Sequence, residues 1–93
     1  PVHGSLAALA AATPPDIVAI VTPPDSHAAL VHEALALGAH VFCEKPFVPT
    51  LEEGRAAIAA AAAAGRHVVV NNEFRFMNAH EAARAAIGTP PFG

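Results

Sequence analysis

Short, continuous apolar runs recur along the chain, and alanine- and leucine-rich segments with helical spacing separate them. The runs cover residues 17–21, 40–43 and 67–71. Because the first run lacks alternating polar positions, it predicts a strand that is covered on both faces, as in a parallel sheet. The order of strand, helix, strand, helix, strand predicts an α/β fold, with a three-stranded parallel sheet, flanking helices and right-handed crossovers.

Capping residues and glycines bracket the helical segments. A serine, threonine, aspartate or asparagine side chain accepts hydrogen bonds from the free amides of a first turn, and glycine adopts the left-handed conformation that ends a helix. The predicted helices cover residues 6–12 after Ser5, residues up to about 37 after Asp25 or Ser26, the alanine-rich segment after Thr50, and residues 78–87 from Asn78; the predicted stops are Gly38, Gly65 and Gly88.

The composition is apolar for a chain of this size. Hydrophobic residues make up 54% of the 93 residues and charged residues only 14%, which indicates that some faces require a partner segment. The chain opens on Pro1 rather than methionine. We therefore expect one domain at most, which belongs to a longer protein and begins after its natural start.

Charge and hydropathy exclude several classes of partner. The net charge is −3 and the five basic residues are scattered, so a nucleic-acid partner is not expected. The sequence has neither a membrane-spanning apolar run nor a secretion signal, which predicts a cytoplasmic protein without membrane contact. Cys43 is the only cysteine and ends an apolar strand, which favours a buried thiol over a nucleophile.

The clearest candidate for chemistry is Glu44-Lys45-Pro46, which follows the second predicted strand and contains the only lysine. Ligands of open α/β sheets bind at the carboxyl ends of the strands. A partly buried lysine there has a lowered pKa and exchanges protons near neutral pH, above a backbone that Pro46 holds rigid. The alternative is an ion pair in a solvated loop, which contributes little.

Two further candidates follow the first predicted strand. Thr22 offers a hydroxyl at the rim, and Pro23 fixes a turn that can lie beneath a ligand. His27 lies in the first turn of the next helix, where its ring can donate to a ligand oxygen. The alternatives are a plain strand terminus for the Thr22 turn, and packing or capping for His27.

Arg75 lies between Phe74 and Phe76 after the third predicted strand. Partial desolvation between two aromatic rings would suit an arginine that holds a carboxylate, a phosphate or a carbonyl oxygen. The alternative is that Arg75 only forms an ion pair with Glu73 or Glu81.

No metal site is expected. His32-Glu33 and His80-Glu81 would each need a second histidine four residues after the first to form a zinc motif. Ala36 and Arg84 occupy those positions.

Three segments together resemble the Gfo/Idh/MocA family of NAD(P)-dependent oxidoreductases. They are AIVTPPDSH at 19–27, GAHVFCEKP at 38–46 and FRF at 74–76. The resemblance implies that the three strands are the fourth, fifth and sixth of a Rossmann sheet. Residues 1–77 would form the second half of a dinucleotide-binding domain, and residues 78–93 would lead into a second domain.

The resemblance also implies hydride transfer between NAD or NADP and a sugar, polyol or related small molecule. Residues 44–46 match the family's Glu-Lys-Pro, so Lys45 is the expected catalytic residue, in contact with cofactor and substrate. Thr22, Pro23 and His27 would border the nicotinamide half of the cofactor, and Arg75 its carboxamide. The full-length form would be a homo-oligomer.

The phosphate-binding Gly-x-Gly-x-x-Gly loop of a Rossmann domain does not occur in this sequence. We therefore expect the isolated chain to be a catalytically inert fragment. Other functions remain open: a non-catalytic sensor or scaffold of the same fold, a glycosidase that uses the cofactor transiently, and an alanine-rich interaction module.

Overall fold

The computed structural model describes residues 1–91, so Phe92 and Gly93, the last residues of the predicted lead into a second domain, lie outside the described residues. Three strands form one sheet, whose order is β1-β2-β3 and whose strands are all parallel. The strands are β1 (Ile17–Ile20), β2 (His40–Cys43) and β3 (Val68–Val70); the helices are α1 (Leu6–Ala12), α2 (His27–Ala36), α3 (Leu51–Ala64) and α4 (Asn78–Ala86); single 3₁₀ turns cover Pro24–Ser26 and Glu73–Phe76. The predicted α/β order is confirmed, with β1 and β3 slightly shorter than expected.

The strand register aligns the carboxyl ends of the strands. Ile20 of β1 lies opposite Cys43 of β2, which in turn lies opposite Val70 of β3. Backbone bonds continue one step further, since Glu44 N–H donates to Ile20 O at 2.9 Å and Asn71 N–H donates to Cys43 O at 2.8 Å. The residues that follow β2 and β3 therefore emerge side by side at one edge of the sheet.

One face of the sheet is packed against α2 and α3. Val31 of α2 and Val41 of β2 are almost fully buried, and burial of such a side chain stabilises the fold by about 1.5–3 kcal/mol. The core cluster consists of Ile20, Val31, Ala34, Leu35, Val41, Cys43, Ala57 and Ala61, and Leu6 of α1 packs at its margin. The sheet and its two crossover helices thus share one core.

The opposite face of the sheet is open in the described part of the chain. Ile17 is 65% exposed, Val21 71% and Val69 54%. The prediction that the first strand is covered on both faces is therefore wrong for residues 1–91. The physical reason is that both crossover helices pack on the same side, where alternate strand residues such as Ile20 and Val41 point.

Most predicted helix ends are confirmed. Ser5 Oγ accepts from Ala8 N–H at 3.1 Å, and Thr50 forms a reciprocal capping box with Glu53. The three predicted stops, Gly38, Gly65 and Gly88, all have positive φ angles. Each of these contacts and angles is local in sequence, which is why the pattern of residues predicts them.

The predicted cap of α2 is wrong. A 3₁₀ turn comes first, α2 begins at His27, and Ser26 makes no side-chain capping bond. The Ser26 hydroxyl instead donates to Pro23 O at 2.7 Å, because the turn brings that carbonyl within reach.

At the other end of the chain, α4 starts at Asn78 as predicted but ends at Ala86. Among residues 1–91, no helix has the length and apolarity that a membrane crossing needs.

Candidate functional site

The candidate site lies at the carboxyl edge of the sheet and is made of the loops that follow the three strands. Thr22 follows β1 closely, Glu44 follows β2 directly, and Asn71 follows β3 directly. Glu44 and Asn71 are in register because the preceding residues, Cys43 and Val70, are paired. Parallel strands therefore place three polar side chains along one edge, as expected for a ligand site of an open α/β sheet.

The Thr22 hydroxyl lies at the exposed rim of this edge, where the sequence predicted it. Its oxygen is 2.6 Å from Ser26 Oγ, and Ser26 Oγ donates its single proton to Pro23 O. Thr22 must then donate to Ser26, because a hydroxyl carries only one proton. The remaining lone pairs of Thr22 are left to accept a hydrogen bond, and Pro23 beside it is exposed.

His27 ties the loop after β1 to the loop after β2. Its ring Nε2 lies 2.8 Å from Thr22 O, and Nδ1 lies 3.0 Å from both Pro46 O and Phe47 O. The residue is 0% exposed. This burial argues against the predicted donation to a ligand, because both ring nitrogens already contact the chain's own carbonyl groups. The structure instead favours the alternative of a packed histidine that shapes the site.

Glu44 links the loop after β2 to the end of β3. Its Oε1 accepts a short hydrogen bond from the Asn71 side-chain amide, and its Oε2 accepts from the Lys45 backbone N–H at 3.0 Å. The Asn71 bond and then the Lys45 N–H bond hold the pKa of Glu44 below its usual range, helped by the charges of Lys45 and His27, while burial acts in the opposite direction. Glu44 is therefore ionised at neutral pH.

Asn71 is a site residue that the sequence reasoning did not single out. It stands 27 positions after Glu44, so no local pattern connects the two side chains. A signal was nevertheless present, since each is the first residue after a strand in a parallel sheet. Aligning the ends of the two strands would have paired them.

Lys45 and Pro46 are exposed at the same edge, and the peptide bond between them is cis. Among the hydrogen bonds of residues 1–91, Lys45 contributes its backbone N–H to Glu44 but not its ammonium group. The partial burial predicted for Lys45 is not observed in this part of the chain. Its ammonium is instead free to meet a ligand from solvent.

Arg75 lies on the 3₁₀ turn after β3 and is exposed, as are Phe74 at 56% and Phe76 at 74%. The predicted desolvation of Arg75 between the two phenylalanines is therefore wrong for this chain. The ring of Phe74 stacks instead on the ring of His80, with the two centroids 5.4 Å apart. No hydrogen bond joins the Arg75 guanidinium to the loop after β2 within the described residues. Chain order alone places Arg75 near this edge.

Cys43 lies beneath the site with its side chain buried, as predicted. Burial, and then the charge of Glu44, raise the pKa of the thiol. A protonated, buried thiol is a poor nucleophile.

Among the described residues, no group of three histidine, cysteine or acidic side chains is arranged to hold a metal ion.

A separate groove of about 320 Å³ lies between α1 and β1. Its lining is mostly apolar and includes Leu6, Leu9, Val18, Ile20 and Leu30. Of the predicted site residues, only Thr22 borders it. The groove is therefore distinct from the edge that carries Glu44 and Lys45.

Comparison with known sequences identifies relatives over most of the chain. The family model GFO_IDH_MocA, described as the oxidoreductase family with an NAD-binding Rossmann fold, matches residues 1–72. D-apiose dehydrogenase of Paraburkholderia graminis is 41% identical over 92 residues, which cover 94% of this chain and 24% of that protein. The chain thus spans about a quarter of this curated relative.

Solved structures match the fold as well. UDP-N-acetylglucosamine 3-dehydrogenase GnnA from Acidithiobacillus ferrooxidans superposes with a TM-score of 0.77 and 33% identity, over 90% of this chain and 27% of that one. An inositol dehydrogenase homolog from Azotobacter vinelandii, complexed with NAD⁺, gives a TM-score of 0.68 and 39% identity, over 77% of this chain and 18% of that one. Both matches cover most of this chain and a minor part of a larger protein.

Proposed function

Because the chain belongs to the Gfo/Idh/MocA oxidoreductase family, with its NAD-binding Rossmann fold, we propose that it forms the nicotinamide-binding half of a dinucleotide domain in an NAD(P)-dependent dehydrogenase. The observation that supports this proposal is the carboxyl edge of the parallel sheet, from which the loops that carry Thr22, Glu44 and Lys45 emerge. Residues 78–93 would lead into a second domain that completes the substrate site.

The residues of this edge fit a nicotinamide ring. Thr22 presents acceptor lone pairs, which suit the amino group of a carboxamide, and Pro23 offers a flat, exposed surface beside it. When bound, the nicotinamide accepts or supplies the hydride. Arg75 would donate to the carboxamide oxygen if its turn folds towards the ring, and His27 would contribute by holding the two loops together.

Lys45 is proposed as the catalytic residue. Oxidation of a secondary alcohol to a ketone releases a hydride from carbon and a proton from oxygen, so negative charge develops on that oxygen. An ammonium group beside it stabilises this charge, and a lysine amine accepts the proton. The exposed Lys45 side chain is free to approach the substrate oxygen, and the ionised Glu44 next to it holds the backbone of Lys45 through its N–H.

A sugar or polyol is the proposed substrate class. The relatives of this chain include a D-apiose dehydrogenase, a UDP-N-acetylglucosamine 3-dehydrogenase and an inositol dehydrogenase homolog. All three names denote polyhydroxylated molecules, which supports this class for the present protein. The choice between NAD and NADP depends on residues outside these 93.

The test uses the complete polypeptide that contains this chain. It would be titrated with NADH and with NADPH by fluorescence, and then supplied with a panel of sugars and polyols and the oxidised cofactor. We expect saturable binding of at least one cofactor and reduction of that cofactor by at least one substrate. If the protein binds neither NADH nor NADPH, the proposal is wrong.

A further inference from the structure

The ring of His27 lies in surroundings that neither neutral form of histidine satisfies. Nε2 is 2.8 Å from Thr22 O, and Nδ1 is 3.0 Å from Pro46 O and from Phe47 O. Carbonyl oxygens only accept hydrogen bonds, whereas a neutral imidazole has a single N–H. In either neutral tautomer, one ring lone pair would therefore point at a carbonyl lone pair within contact distance.

We infer that His27 is a buried imidazolium cation, which donates from both ring nitrogens and clamps the loop after β1 to the loop after β2. With both nitrogens protonated, every contact of the ring becomes a donor–acceptor pair. Hydrogen bonds from a charged donor are roughly twice as strong as neutral ones. The cation is a positioning residue, because the carbonyl groups that it holds belong to the loops that carry Thr22 and Lys45.

Opposing effects act on this charge. Complete burial disfavours the charged ring, and so does its place at the start of α2, where the helix dipole is positive. Three carbonyl oxygens at 2.8–3.0 Å and the nearby Glu44 carboxylate act in favour. The other titratable side chains of the two loops and of the strand end beneath them are Asp25, Cys43 and Lys45.

The Glu44 carboxylate lies close enough for a charge on the His27 ring to lower the pKa of Glu44, after the hydrogen bonds from Asn71 and Lys45 and the charge of Lys45. The charge of His27 follows from contacts within the chain and is independent of the proposed function.

The direct test is a nitrogen-15 NMR spectrum of the histidine rings in the complete protein. At about pH 8 an ordinary histidine, with a pKa of about 6.5, is neutral and gives one protonated and one unprotonated ring nitrogen. We expect His27 to give two protonated nitrogens at that pH, because both of them face carbonyl oxygens. An unprotonated nitrogen in the His27 ring would overturn the inference.

Assignment uses His27→Gln, which removes one histidine signal set from the spectrum. If that variant does not fold, a correlation of the ring signals with the assigned backbone signals of His27 identifies the set. In a folded His27→Gln protein, a carbon-13 titration should place the pKa of Glu44 above its wild-type value. His32→Gln is the matched control and should leave the Glu44 titration unchanged. An unaltered Glu44 titration in His27→Gln would contradict the proposed charge.

Discussion

Polar groups cross-link the sheet at both of its ends, but the two ends differ in how deeply these groups are buried and in whether a pKa is shifted. At the amino end, Arg66 Nε donates to Gly38 O, and the His67 backbone N–H donates to His40 Nδ1 at 3.0 Å. The rings of His40 and His67 stack with their centroids 5.2 Å apart. Arg66 and His67 are exposed and His40 is half-buried.

At the carboxyl end, the cross-links involve a fully buried ring and a carboxyl group whose pKa is lowered. His27 contacts backbone carbonyls of both loops, and Glu44 accepts from Asn71 across neighbouring strands. The comparison teaches that polar residues at a sheet edge do not by themselves mark a site. A buried ionisable group and a shifted carboxyl group, with an exposed lysine beside them, distinguish the carboxyl end.

Replacing Lys45 should cause the largest loss of activity among the changes at the two ends of the sheet. In the complete enzyme, Lys45→Met is expected to lower kcat by about 10²–10⁴-fold, because it removes the group that handles the proton and the developing charge. Cofactor binding, measured by fluorescence titration, should persist. Arg66→Met removes a cation from the amino end and should leave kcat unchanged. A Lys45→Met enzyme that retains turnover would show that Lys45 is not the catalytic residue.

The second prediction concerns the link between β2 and β3. Asn71→Ala removes the hydrogen bond that contributes most to the lowered pKa of Glu44, so that pKa should rise towards its ordinary value. The measurement is a carbon-13 titration of the Glu44 carboxyl group. Asn72→Ala changes an exposed neighbour of the same type and should leave the titration unchanged. Equal effects of the two variants would show that the Asn71 contact is unimportant.

The same carboxyl group gives a pH dependence with a defined sign. The pKa of Glu44 is lower in the folded chain than its ordinary value of about 4.3. Its contribution to stability is therefore present above that ordinary value and is lost as the pH falls through the lowered folded value. Unfolding by urea between neutral and acidic pH should show a smaller acid loss in Asn71→Ala than in the wild type. If Asn71→Ala and the wild type lose the same stability between neutral and acidic pH, the Asn71–Glu44 hydrogen bond does not lower the pKa of Glu44.

At the amino end, Arg66→Ala should change stability and leave activity alone. The loss of a hydrogen bond from an exposed charged donor to Gly38 O is expected to cost about 1 kcal/mol, measured by urea unfolding. Arg55 is an exposed arginine of α3 and provides the control, since Arg55→Ala should cost less. A fall in kcat of Arg66→Ala comparable to that of Lys45→Met would remove the distinction between the two ends.

The smallest expected effect is that of His40→Phe. It retains an aromatic ring but removes the acceptor of the His67 N–H, which water can partly replace because His67 is exposed. We expect a loss of about 0.5–1 kcal/mol in urea unfolding. His32→Phe on the exposed side of α2 should have a smaller effect. A larger loss from His32→Phe would contradict the importance of the His40 contact.

Features that depend on neighbouring residues were predictable from the sequence. The capping box of Thr50 and Glu53 spans three positions, and the left-handed Gly38 and Gly65 end their helices as expected. The apolar runs located all three strands, and chain order placed Lys45 at the carboxyl edge. Each of these features is decided within one turn or one strand.

Features that depend on contacts distant in sequence were not predictable in the same way. The Glu44–Asn71 bond follows from strand register, and the burial of His27 follows from how the loop after β2 folds over α2. An apolar run predicted that β1 is covered on both faces, but a run cannot reveal that both described crossover helices lie on one side. The exposed side of Ile17 and Val69 is known only from the packing.

The most direct test of the central claim is a crystal structure of the complete protein with its nicotinamide cofactor. We expect the nicotinamide ring to lie between the Thr22–Pro23 turn and Lys45, with the lysine ammonium facing the substrate side of the ring. A cofactor whose ring binds away from the carboxyl ends of β1 and β2, or a Lys45 that points away from it, would contradict the proposed oxidoreductase site.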